Sequence, residues 1–170
     1  MGTDPLTVDW TEAQVAVMHR LRDWAVGFTE LNQHLSTWMR LPTSDANALG
    51  NIIWADEAGT PLSPAELSRQ IGMTSGATTV LLNRLEAAGH IVRSREGSDR
   101  RRVTLRPVRE AREQARAFLA FAGAEIAASL GDTPDPELTT VIAFLERMTA
   151  AARQANTRLA RGERGDQKTV

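Results

Sequence analysis

The sequence predicts a mainly α-helical fold with one small β-hairpin, and three observations carry that prediction. Apolar residues recur at alternating spacings of three and four over most of the chain. Two short helical patterns are separated by a single Gly72 turn. Directly after Gly89 the periodicity becomes that of two short strands around a turn-rich tip. The 170 residues fit one domain, or one compact unit with a dimerising extension, and 42% hydrophobic with 24% charged residues is the composition of a folded globular protein.

The first helix is expected from about Asp9 to Met39, with Asp9 as its N-cap and Glu12 as the return partner. Val17, Leu21, Trp24, Phe28, Leu31, Leu35 and Trp38 form the stripe of a helix that packs on other helices. Pro42 ends it, and Ser44 or Asp45 starts a second helix to about Asp56. Ser63, Pro64 and Glu66 then combine a cap, a residue that needs no amide donor and a capping-box partner, which predicts a short helix to Ile71. After Gly72, Thr74 or Ser75 caps the next helix, with Ala77, Leu81, Leu85 and Ala88 on its buried face and Gly89 suited to a left-handed stop.

Ile91–Arg95 and Arg102–Leu105 read as strands flanking Glu96-Gly97-Ser98-Asp99. Beyond Pro107 one helix runs through Ala111, Ala115, Phe118, Ala122 and Ile126. A second follows Gly131-Asp132-Thr133-Pro134 through Leu138, Val141, Ile142, Leu145, Met148 and Ala152. The expected organisation is an N-terminal dimerisation helix in 1–43, a lobe of two helices and hairpin in 44–107, C-terminal dimerisation helices in 108–160 and a flexible tail in 161–170.

The net charge of −1 hides a segregation. Residues 1–60 carry 3 basic and 8 acidic side chains, residues 61–106 carry 8 Arg against 4 acids, and residues 107–170 balance at 9 against 9. The middle segment is electropositive, and its arginines cluster at the hairpin, where forked guanidinium groups suit phosphate and base edges. Cysteine is absent, which excludes disulfides, thiolate metal sites and thiol chemistry. His19 and His34 lie 15 residues apart and His90 has no ligand set beside it, so no metal and no cofactor is expected. With no phosphate loop, nucleophile elbow or His-Glu metal helix, the chain is not expected to be an enzyme. No apolar run is long enough for a membrane span and the N-terminus lacks a secretory pattern, so a cytoplasmic protein without membrane contact is expected.

Helix, short helix, Gly turn, helix and basic hairpin are the order of a winged helix-turn-helix, whose second helix enters a DNA major groove. On that helix Ser75, Thr78, Thr79, Leu82 and Asn83 are expected to face outward, with Arg84 beside them, where small and amide groups approach base edges and phosphates. The hairpin carries Arg93 and Arg95 on one side and Arg100, Arg101 and Arg102 on the other, able to follow phosphates or enter the minor groove.

Leu62-Ser63-Pro64-Ala65-Glu66-Leu67, Met73-Thr74-Ser75-Gly76-Ala77-Thr78-Thr79, Asn83-Arg84-Leu85-Glu86-Ala87-Ala88-Gly89 and Asp99-Arg100-Arg101 stand in the order and spacing of one family. Over about residues 45–107 the chain resembles the MarR family of bacterial transcription regulators. The resemblance implies a homodimeric winged-helix repressor that binds a pseudo-palindromic double-stranded DNA operator and answers to a small aromatic or anionic effector. It also implies that the first helix and the C-terminal helices build the dimer platform, and that Asp99 orients the Arg101 guanidinium at the wing and braces Arg84. The tip is about one residue shorter than the commonest family wing, and His90 stands where an apolar residue is usual. His19, Arg22, Trp24 and Trp54 are effector candidates by position, whereas tryptophans are more often packing or dimer contacts. The alternative is a winged-helix interaction protein whose basic hairpin meets an acidic protein partner without DNA activity.

Overall fold

The computed structural model describes residues 9–95 and 103–162. Helix α1 (Glu12–Met39) is capped by Thr11 and not by Asp9. The Thr11 hydroxyl accepts from the Gln14 amide at 3.3 Å while Gln14 Oε1 accepts from the Thr11 amide at 2.8 Å, a reciprocal pair that Asp9 and Glu12 do not make. In α2 (Thr43–Glu57), Pro42 takes the cap position with no side-chain cap. Asp45, an expected cap candidate, is instead buried in the first turn of this helix.

Helix α3 (Pro64–Ile71) begins with the capping box expected of Ser63 and Glu66. Gly72 then turns the chain at φ 66°, and the Ser68 hydroxyl fastens the turn by donating to the Met73 carbonyl at 2.6 Å. Helix α4 (Ser75–Ala87) is capped by Thr74, and Gly89 at φ 73° redirects the chain into the hairpin.

Strands β1 (Ile91–Arg95) and β2 (Val103–Pro107) pair antiparallel, with Ile91 opposite Pro107 and Arg95 opposite Val103. The Leu105 amide donates to the Leu62 carbonyl at 2.8 Å, which ties the hairpin base to the residue ahead of α3. Leu49 and Ile52 of α2, Leu67 of α3, Leu81 and Leu85 of α4 and Leu105 of β2 are fully buried together. Each contributes roughly 1.5–3 kcal/mol by leaving water.

The chain forms two compact units, residues 1–123 and 124–170. In the first, Leu35 and Met39 of α1 and Ala111, Ala115 and Phe118 of α5 (Arg109–Ala122) join the core of the lobe. The expected helix through Ile126 is interrupted at Gly123, where an added Cβ would stand 2.7 Å from the Leu119 carbonyl oxygen. The second unit contains α6 (Ala124–Gly131) and α7 (Asp135–Ala160), and α7 buries none of its 26 residues within this chain. No helix among the described residues is long and apolar enough to cross a membrane.

Candidate nucleic-acid interface

The buried stripe of α4 is Thr78, Leu81, Leu82 and Leu85, so the helix is rotated by about one residue from the expected register. Thr78 and Leu82, expected to face outward, are corrected to the core, while Ala77 and Ala88 are exposed. Thr78 tolerates burial because its hydroxyl donates to the Thr74 carbonyl at 2.9 Å and leaves only the methyl to pack. The outward face comprises Ser75, Thr79, Val80 and Asn83. Val80, 55% exposed, joins this face unforeseen; its spacing of three from Asn83 was the available signal. A valine there can meet a thymine methyl while Asn83 meets a base edge.

Arg84 is held from α2. Its Nε donates to Asp45 Oδ2 at 3.0 Å and its Nη2 to Asp45 Oδ1 at 2.6 Å, a forked pair with the carboxylate buried and the guanidinium half exposed. The Arg84 hydrogen bonds hold the Asp45 carboxyl below its ordinary range, against the upward push of burial and with help from the Ser44 hydroxyl. The same bonds raise the Arg84 guanidinium. Asp45 is therefore the residue that braces Arg84 among those described; Asp99, the expected brace, lies outside the described residues.

The hairpin and the outward face of α4 lie on one side of the lobe. Arg93 of β1 donates through Nη2 to Asn83 Oδ1 at 2.8 Å, and its Nη1 stands 3.4 Å from Glu86 Oε2. Arg95 is exposed at the end of β1. Arg100, Arg101 and Arg102 lie outside the described residues with Asp99. At the base of β2, Arg106 Nη1 donates to Asp56 Oδ1 at 2.6 Å and Arg112 Nη2 reaches Asp56 Oδ2 at 2.7 Å, so one buried carboxylate of α2 ties β2 to α5.

A cavity of about 320 Å³ opens between α1, α2 and α5, with Phe28, Trp54 and Phe118 among its walls. Of the four positional effector candidates the structure brings only Trp54 to it. Trp24 stacks on Phe28 with ring centres 5.6 Å apart but does not line the space, and His19 and Arg22 are exposed elsewhere on α1. The carboxamides of Asn32, Asn47 and Asn51 also line it, and proximity to Trp54 along α2 was the signal for two of them.

Two helices joined by a tight turn, a pinned hairpin and a polar outward face define the winged helix-turn-helix class. Residues 41–102 match the model of the MarR family. Over 53 residues the chain is 42% identical to YcgE of Bacillus subtilis strain 168, described as an uncharacterized HTH-type transcriptional regulator, a stretch that is 31% of this chain and 34% of that protein. The chain spans about a third or less of the curated relatives it matches. A MarR protein from Peptoclostridium difficile superposes with a TM-score of 0.59 at 16% identity, over 94% of this chain and 98% of that one. A MarR family protein from Bacillus stearothermophilus does so with a TM-score of 0.57 at 20% identity, over 85% and 99%. The similarity to the MarR family model lies in the winged segment, about a third of the chain, and the likeness to the solved MarR proteins is one of fold.

Proposed function

We propose that the chain is a ligand-responsive transcription regulator of the cytoplasm, a homodimer that represses by binding a pseudo-palindromic double-stranded DNA operator. A small aromatic or anionic effector in the α1–α2–α5 cavity releases it. The observation that carries this reading is the Arg93–Asn83 hydrogen bond, because it sets the basic hairpin beside the outward face of α4. Ser75, Thr79 and Asn83 then approach base edges, Arg84 and Arg95 approach phosphates, and Arg100 extends the contact along the wing with Arg101, which Asp99 is proposed to orient. Two-fold symmetry sets the two recognition helices about one helical turn of DNA apart, roughly 34 Å.

Anisotropy titration of labelled duplex DNA over a series of salt concentrations tests it. Affinity should fall steeply with salt, and a triple variant with alanine at Arg100, Arg101 and Arg102 should bind at least about tenfold more weakly with a shallower salt slope. Salt-insensitive binding, or a variant that matches wild type, overturns the DNA reading and favours the acidic protein partner.

A further inference from the structure

We infer that the cavity behind α2 takes an uncharged aromatic molecule and not an aromatic acid, because three rings and three carboxamides face it and its lining cation, Arg116, is balanced by its lining anion, Glu57. The inference deepens the effector reading above and rests on it only for the consequence at DNA; binding itself is measured without DNA.

Size sets the first limit. About 320 Å³ is the liquid volume of roughly ten water molecules, which accommodates a two-ring compound of about ten to fifteen non-hydrogen atoms. Phe28, Trp54 and Phe118 offer faces and edges to such rings. Gly50 leaves the middle of the α2 wall open: an added Cβ there would meet only Leu35 Cδ2, at 3.8 Å, so a flat molecule can lie against the helix backbone.

Charge sets the second limit. Arg116 is the cationic lining residue, and its Nη2 donates to Glu57 Oε1, the lining carboxylate, at 2.9 Å. Both side chains reach solvent at the cavity mouth, so the one lining cation is balanced by the one lining anion and the cavity offers an acid no net positive charge. The remaining polar groups are neutral. Asn51 Nδ2 donates to the Asn47 carbonyl oxygen at 2.8 Å and to Asn47 Oδ1 at 3.2 Å, which fixes that pair one turn apart, and Asn32 faces them from α1. Carboxamides of this kind serve a hydroxyl, carbonyl or amide at a ring edge.

Calorimetric titration of the full chain with naphthalene carboxamide and naphthalene carboxylate, which match in size and differ in charge, tests the inference. The amide should bind at least about tenfold more tightly near neutral pH. Gly50→Leu, which projects into the cavity, should abolish that binding, while Gly50→Ala should retain most of it. If Gly50→Leu does not fold, Asn32→Leu reads the same site and should weaken amide binding about tenfold. Equal or tighter binding of the carboxylate, indifference of the amide to these variants, or binding of neither probe overturns the inference. Amide binding that leaves duplex affinity unchanged keeps the ligand class and removes the effector reading instead.

Discussion

Asp45 is where a single side chain has most control over the proposed DNA-reading surface. Its carboxylate is buried and receives both arms of Arg84, so α4 is keyed to α2 at one defined point. Because the folded carboxyl titrates below its ordinary value, near 3.9, the pair contributes its full stability above that value and loses it as pH falls through the lower, folded one. Asp45→Asn should therefore flatten the acid limb of a stability–pH curve measured by urea unfolding; an unchanged limb would remove Asp45 as its source. Duplex affinity near neutral pH should also fall severalfold, since Arg84 loses its fork. Sequence reading found the Ser63–Glu66 capping box because its partners are three residues apart, whereas Asp45 and Arg84 are separated by 39 positions and nothing local pairs them. Thr78 escaped for another reason: a threonine with its hydroxyl satisfied by the preceding turn packs like a valine, and its polarity alone suggested the wrong face.

Elements were legible wherever local chemistry decides them, as at the Gly72 and Gly89 turns and in β1, whose start at Ile91 follows directly from the change of period. Strand β2 runs on to Pro107, two residues past its expected end at Leu105. What escaped was the break between α5 and α6, because the apolar spacing continues through it and only backbone crowding at Gly123 marks it. Gly123→Ala should force the Leu119 carbonyl to shift and lower stability by about 1–3 kcal/mol in thermal or urea unfolding. No loss would mean that the end of α5 gives way freely. The joint between β1 and α4 makes a different demand. Arg93→Ala removes the hydrogen bond to Asn83 and the ion pair with Glu86. Amide exchange should accelerate in Ile91–Arg95 while the α4 core stays protected, and duplex affinity should fall roughly tenfold, the size expected for a charge-assisted hydrogen bond that orients a contact. Uniform acceleration through α4 would show that Arg93 supports the fold at large instead.

For the molecule as a whole, the question is what covers the apolar surface that one chain leaves open. Val141, Ile142 and Leu145 of α7 are exposed at helical spacing, and Val15, Met18 and Trp24 are exposed on α1. Clusters of this kind are costly in water and are the usual mark of a surface that a partner covers. In the proposed homodimer that partner is a second copy, and the dimer is what makes DNA recognition specific: each lobe reads only one half-site, and joining two lobes converts the second contact into an intramolecular one. Ile142→Glu with Leu145→Glu alters no residue proposed to meet DNA. It should nevertheless move the chain from dimer to monomer in sedimentation equilibrium. Affinity for a two-half-site operator should fall about a hundredfold, while binding to a single half-site is nearly unchanged. A double variant that sediments as wild type would exclude this face of α7 from the dimer contact. One that is monomeric yet binds the full operator as tightly as before would mean that a single lobe carries the affinity, and the symmetric mode of recognition would have to be given up.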